Sequence, residues 1–115
     1  MLTLGLTGRI WVCVQAVDGR KSFDGLSAVV TSQLGHDPLS GDLFVFRNRR
    51  GDRLKILAWQ GDGFALYLRR LERGTFAFPS ADAKAVNMTV TELAMLLGGV
   101  DWTRTQKRRH YQRGA

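Results

Sequence analysis

Few residues in this chain are of types that do chemistry, and their spacing is poor for it. Neither histidine, His36 or His110, has a metal-ligating residue three or four positions away, which removes the simplest helical metal site. The single cysteine, Cys13, lies between apolar neighbours with no basic activator beside it, so a buried structural thiol is favoured over a nucleophile. Asp42, Asp52 and Asp62 recur at even intervals, as a metal-dependent nuclease would want. Each, however, adjoins a glycine at a turn or strand start, where Asp serves local hydrogen bonding. No Gly-x-x-x-x-Gly-Lys phosphate loop occurs. The expectation is a protein with no catalytic residue, no metal and no cofactor.

Charge is more informative. The 115 residues have a net charge of +7, which points to a polyanionic partner. Residues 47–73 hold eight basic and three acidic side chains, and residues 102–115 hold five basic and no acidic ones. The segments between and before them are slightly acidic, so the excess sits in two blocks. Arg47, Arg49, Arg50, Arg53, Lys55, Arg69, Arg70 and Arg73 form the first block, with Trp59 and Tyr67 interleaved. Arg104, Lys107, Arg108 and Arg109 belong to the second. Basic side chains carry affinity for nucleic-acid backbones and aromatics offer stacking surfaces, so these residues are the candidate nucleic-acid-binding set.

Elements must position that set. Ile10, Val12 and Val14 alternate with Trp11 and Cys13, as a short strand does. A helix begins after Ser22, with Phe23, Leu26, Val30 and Leu34 along one stripe and Gly35 ending it. Residues 37–79 read as an antiparallel meander with turns at Gly51 and at Gly61-Asp62-Gly63. Three-residue loops place Phe46 opposite Leu54 and Ala58 opposite Leu66. One face then gathers Val45, Arg47, Arg53, Lys55, Leu57, Trp59, Tyr67 and Arg69, with Arg47 opposite Arg53 and Lys55 opposite Arg69. Such like-charge pairs suit an anion lying between them; the same face could instead pack under a helix with its basic ends reaching solvent. Residues 80–87 read as a loop. Thr89-Val90-Thr91-Glu92 fits a capping box, with Met88 stapled onto Leu93, and opens a second helix that Gly98-Gly99 stops.

The fold expected is α+β: a β-meander of three to four antiparallel strands packed with two short helices. Residues 1–102 make a single domain, followed by a basic C-terminal tail over 103–115. No apolar run approaches the ~20 residues of a membrane span, and no secretory signal is evident, so the expected location is cytoplasmic, away from membranes. A meander can leave edge strands free for dimerisation.

The strings "DGRKSFDGL" (Asp18–Leu26), "DPLSGDLFVFRNRRGDRLKILAW" (Asp37–Trp59), "DGF" (Asp62–Phe64), "LRRLERGTFAFP" (Leu68–Pro79) and "ELAMLLGGVDW" (Glu92–Trp102) follow in order. Together they resemble the second open-reading-frame protein of insertion sequence 66 elements, the TnpB-type accessory protein of those transposons. Leu39, Gln60 and Phe78 stand where that family commonly has an aromatic, an acid and a tryptophan. The resemblance implies a small non-catalytic protein that assists a separate transposase. DNA, either transposon ends or non-specific sequence, is then the expected partner, along with the transposase and other element-encoded proteins. An adaptor that binds the transposase without touching DNA is the alternative.

Overall fold

The computed structural model of the protein describes residues 8–103. Seven elements follow in order: β1 (Ile10–Cys13), α1 (Phe23–Ser32), β2 (Leu43–Arg47), β3 (Arg53–Trp59), β4 (Phe64–Arg70), β5 (Ala85–Met88) and α2 (Val90–Leu97). The strands form one sheet in the order β4-β3-β2-β1-β5. β2, β3 and β4 make the expected antiparallel meander, but β1 lies parallel to β2, with Ile10 beside Leu43. A parallel neighbour needs a long crossover, which α1 and its flanking loops supply. The sheet is therefore mixed and five-stranded, not an antiparallel meander of three to four strands.

The segment read as a loop, residues 80–87, contains most of β5, which pairs antiparallel with β1 from Ile10–Met88 to Cys13–Ala85. Its strand character comes from that partner. A four-residue stretch with an asparagine has little preference of its own.

Alternation sends side chains to two separate cores. Ile10, Val12, Leu43, Val45, Leu54, Ile56 and Ala58 pack on one side with Leu93 and Leu96 of α2 and with Trp102. Cys13, Phe44, Phe46 and Leu57 pack on the other with Leu26, Val29 and Val30 of α1. Phe23, assigned by spacing to the buried stripe of α1, is exposed, and Ser22 precedes the helix without a side-chain cap bond. At α2 the expected capping box is complete. The Glu92 N–H donates to Thr89 Oγ1 (3.0 Å), and the Thr89 N–H donates to Glu92 Oε1 (2.8 Å). Met88 and Leu93 lie in the same core, as a staple requires.

Both hairpins sit one residue away from the expected register. In the first, Phe46 faces Lys55 and Arg47 faces Leu54. The Asn48 side chain holds the loop shut: its Nδ2 donates to Asp52 Oδ1 (2.8 Å) and its Oδ1 accepts the Arg53 N–H (3.0 Å). In the second, Gln60 donates to the Gly63 carbonyl (2.9 Å), and Gly61 takes φ 93° at the first central position. That is the demand of a two-residue type II′ turn, so Gly61-Asp62 is the loop. Ile56 consequently faces Tyr67, and Leu54 faces Arg69. A one-residue slip exchanges faces, and this one divides the basic set in two. No helix among the described residues is long and apolar enough to cross a membrane.

Candidate nucleic-acid interface

The corrected register assigns each basic residue a side. Arg47, Tyr67 and Arg69 lie on the α2 face and are drawn into structure. Arg47 Nη2 donates to the Val14 carbonyl (3.3 Å), and its guanidinium carbon lies 5.5 Å from the centre of the Phe78 ring. Tyr67 packs against the α2-side core. Arg69 Nη1 donates to the Leu97 carbonyl at the end of α2, where the helix dipole favours a cation. The expected pairs Arg47–Arg53 and Lys55–Arg69 do not form, because the partners belong to different faces.

A different like-charge pair takes their place on the α1 face. Arg53 lies directly opposite Arg70, and Lys55 opposite Leu68, one step further along the same side. The hydrogen bonds that bracket the ladder, Gln60 to Gly63 at the turn and Leu71 to Asp52 at the far end, set its phase. In that phase Arg53–Arg70 is a non-hydrogen-bonded pair, the closer of the two kinds, at about 4.5 Å between Cα atoms. Both side chains are exposed. They line a groove of about 590 Å³ together with Gly19, Leu54, Lys55, Leu68, Arg69 and Glu72. Among the described residues Glu72 is its one acidic member, and it pairs with Arg70 at 3.1 Å in the open. An exposed pair of that kind contributes little to stability.

Lys55 is the floor of the groove. Its Nζ donates to the carbonyls of Gly19 (2.7 Å) and Lys21, which clamps the loop before α1 to the sheet. Burial and the neighbouring Arg53 push its pKa below the ordinary lysine value, with Asp18 acting in the opposite sense. Asp18 itself is held far below the usual carboxylate range by Arg20, which bonds it through both its side chain and its backbone N–H. Arg49 and Arg50 are exposed in the β2–β3 loop, and Arg73 is exposed in the turn after β4. Trp59 shares the α1 face but stands at the far end of β3, packed edge to face with Phe64 at 5.0 Å. Trp59 and Tyr67 therefore do not form the single platform the sequence suggests. Arg104, Lys107, Arg108 and Arg109 lie outside the described residues. Gly19 and Leu68 were missed from sequence; a two-residue Gly61-Asp62 turn would have brought Leu68 beside Lys55.

The other chemistry-bearing residues are occupied elsewhere. Asp42 ties the start of β1 to β2, accepting the Arg9 N–H (2.9 Å) and the Trp11 indole N–H (3.0 Å), so its work reaches beyond its own turn. Asp52 holds the first hairpin. His36 packs against the rings of Trp11 and Phe44. Cys13 is buried, which raises its pKa, and its thiol donates to the Gln15 carbonyl. Among the described residues no three His, Cys, Asp or Glu side chains converge on a common point.

A profile of the family described as IS66 Orf2 like protein matches residues 8–107. Two relatives come from Sinorhizobium fredii (strain NBRC 101917 / NGR234). The chain is 44% identical over 100 residues to the uncharacterized protein y4jC, covering 87% of this chain and 86% of the relative. It is 39% identical over 107 residues to the uncharacterized protein y4hO, covering 93% of each. No solved structure matches.

Proposed function

The chain belongs to the IS66 Orf2 like family, an accessory class of insertion-sequence proteins, and on that premise we propose that it assists transposition by binding DNA phosphates in the Arg53–Arg70 groove. The observation that carries this reading is the pair itself. Two exposed arginines stand directly opposite each other across the ladder, an unfavourable like-charge placement, and a bridging phosphate would turn it into two charge-assisted hydrogen bonds. Lys55 holds positive charge at the groove floor, while Arg49, Arg50 and Arg73 extend the field along the same end of the sheet. Arg104, Lys107, Arg108 and Arg109 add sequence-independent attraction. Arg47, Tyr67 and Arg69 have structural work on the other face and contribute less.

Contacts of this kind release counterions, so affinity for duplex DNA falls steeply with salt, by a log–log slope of about −0.9 per phosphate engaged. Fluorescence anisotropy with transposon-end and unrelated duplexes, between about 50 and 200 mM salt, measures that slope. A flat response, or no binding at the lowest salt, rejects the reading. The half-buried aromatic pair Trp59–Phe64 favours a second role as a contact for the transposase, since aromatics are enriched in protein interfaces. A transposase complex that survives nuclease treatment and high salt would select the adaptor role.

A further inference from the structure

β4 is the last strand on its side of the sheet. The bracketing hydrogen bonds make Ala58–Ala65, Ile56–Tyr67 and Leu54–Arg69 the pairs that exchange N–H and C=O groups inward. The peptide groups of Phe64, Leu66, Leu68 and Arg70 therefore point away from β3, and no strand among the described residues pairs with them. Edge strands are usually protected by proline, a bulge or a central charge. The middle of this one, Ala65-Leu66-Tyr67-Leu68, has none of these, and Leu68 is 61% exposed.

We propose that β4 pairs antiparallel with β4 of a second copy about a two-fold axis at Tyr67, joining two five-stranded sheets into one. The outward groups sit on even-numbered residues, so even must face even, and the axis must pass through a residue, not between two. An axis at Leu66 leaves Arg69 and Arg70 beyond the pairing, one at Leu68 leaves Phe64 and Ala65, and one at Ala65 leaves everything from Tyr67 onward. An axis at Arg69 sets two Arg69 side chains against each other, which like-charge repulsion opposes. An axis at Tyr67 engages all seven residues: Leu66 meets Leu68, Ala65 meets Arg69, and Phe64 meets Arg70. Every charge then faces a neutral residue. The exposed Leu68 gains an apolar neighbour, and the guanidinium of Arg70 lies beside an aromatic ring.

Residues facing each other across an antiparallel pair point to the same side of the sheet. Both phosphate grooves would thus open on one face. The two Arg70 positions fall six residues apart along the strand, roughly 20 Å at about 3.3 Å per residue. The dimer offers a polyanion two equivalent grooves related by the two-fold, where the monomer offers one.

Sedimentation velocity of the full chain, at rising concentration and without DNA, tests the pairing. Wild type should approach twice the 12.9 kDa of one chain. Leu68→Lys should weaken association by roughly tenfold or more, with an unchanged far-ultraviolet circular dichroism spectrum because the residue is exposed. Under mild oxidation, Tyr67→Cys should give a disulfide-linked dimer, since the two Cα atoms would sit about 4.5 Å apart, within disulfide reach. Arg69→Cys should not cross-link, and the buried Cys13 stays out of the reaction. A folded protein that remains monomeric at about 100 μM, or that cross-links through residue 69 but not 67, overturns the proposal. A monomer that keeps salt-dependent DNA affinity overturns the dimer alone and leaves the DNA-binding role standing.

Discussion

The two faces of the sheet are built from the same strands yet are covered to different extents. On the α2 face, apolar residues run from Ile10 on β1 to Leu54 on β3, and the cover is completed by Trp102, whose indole N–H donates to the Ala77 carbonyl. Even Arg47 is absorbed there, over the Phe78 ring, while Arg69 stays exposed but bonds the end of α2. On the α1 face, the short helix covers Phe44, Phe46 and Leu57 and stops, so that among the described residues the Arg53, Lys55, Leu68 and Arg70 corner has the loop before α1 above it and no helix. A charge on a covered face becomes part of the packing, whereas the same charge on an uncovered corner is available to a partner. Position relative to the helices, more than residue type, separates the structural arginines from the candidate contacts.

If that division is right, the faces should fail in different ways. The largest effect belongs to Trp102, which is fully buried. Trp102→Ala should cost about 3–5 kcal/mol of stability, read as a lower urea midpoint, while the fraction that remains folded keeps its DNA affinity. The Arg53→Ala, Arg70→Ala double variant should do the reverse. Removing the one phosphate bridged by the pair should flatten the salt slope by about 0.9, whereas stability should rise by a few tenths of a kcal/mol as the facing like charges disappear. A double variant that lost stability and affinity together would show that the pair is structural, and the contrast between the faces would collapse.

Legibility in the sequence follows the range of the interactions concerned. The capping box of α2 was readable because every group in it lies within four residues, from Thr89 to Glu92. The start and stripe of α1 were nearly so, with Phe23 misassigned because spacing cannot say where the sheet beneath a helix ends. β5 was invisible, since its strand state depends on β1, more than seventy residues earlier in the chain. The hairpin register was the costly miss. Gly61-Asp62-Gly63 permits either a two-residue or a three-residue loop, and the positive φ at Gly61 selects the first. From that one choice came the exchange of Arg69 for Arg70 as the partner across from the basic end of β3. The basic block was therefore legible as a composition, while the site within it was set by turn geometry.

Lys55 gives the smallest and most discriminating test, because it stands on the boundary between packing and binding. Desolvation first, and Arg53 second, lower its folded-state pKa below the ordinary value of 10.5, while the unfolded chain keeps that value. As pH rises through the folded pKa, the native protein releases this proton before the unfolded chain does. The unfolded state then binds more protons, so this residue makes stability rise with pH until the unfolded value is reached. Below the folded pKa the burial of the charge is a constant cost, offset by the bonds to Gly19 and Lys21. Lys55→Met removes both the titration and the clamp. Urea titrations from neutral pH to about 10.5 should show the wild type gaining on the variant as pH rises, with the variant lower at neutrality by about 1 kcal/mol for the carbonyls left unpaired. If the two curves stay parallel, Lys55 is solvated in the folded protein, and the groove floor is open to a phosphate in the same way as Arg53 and Arg70.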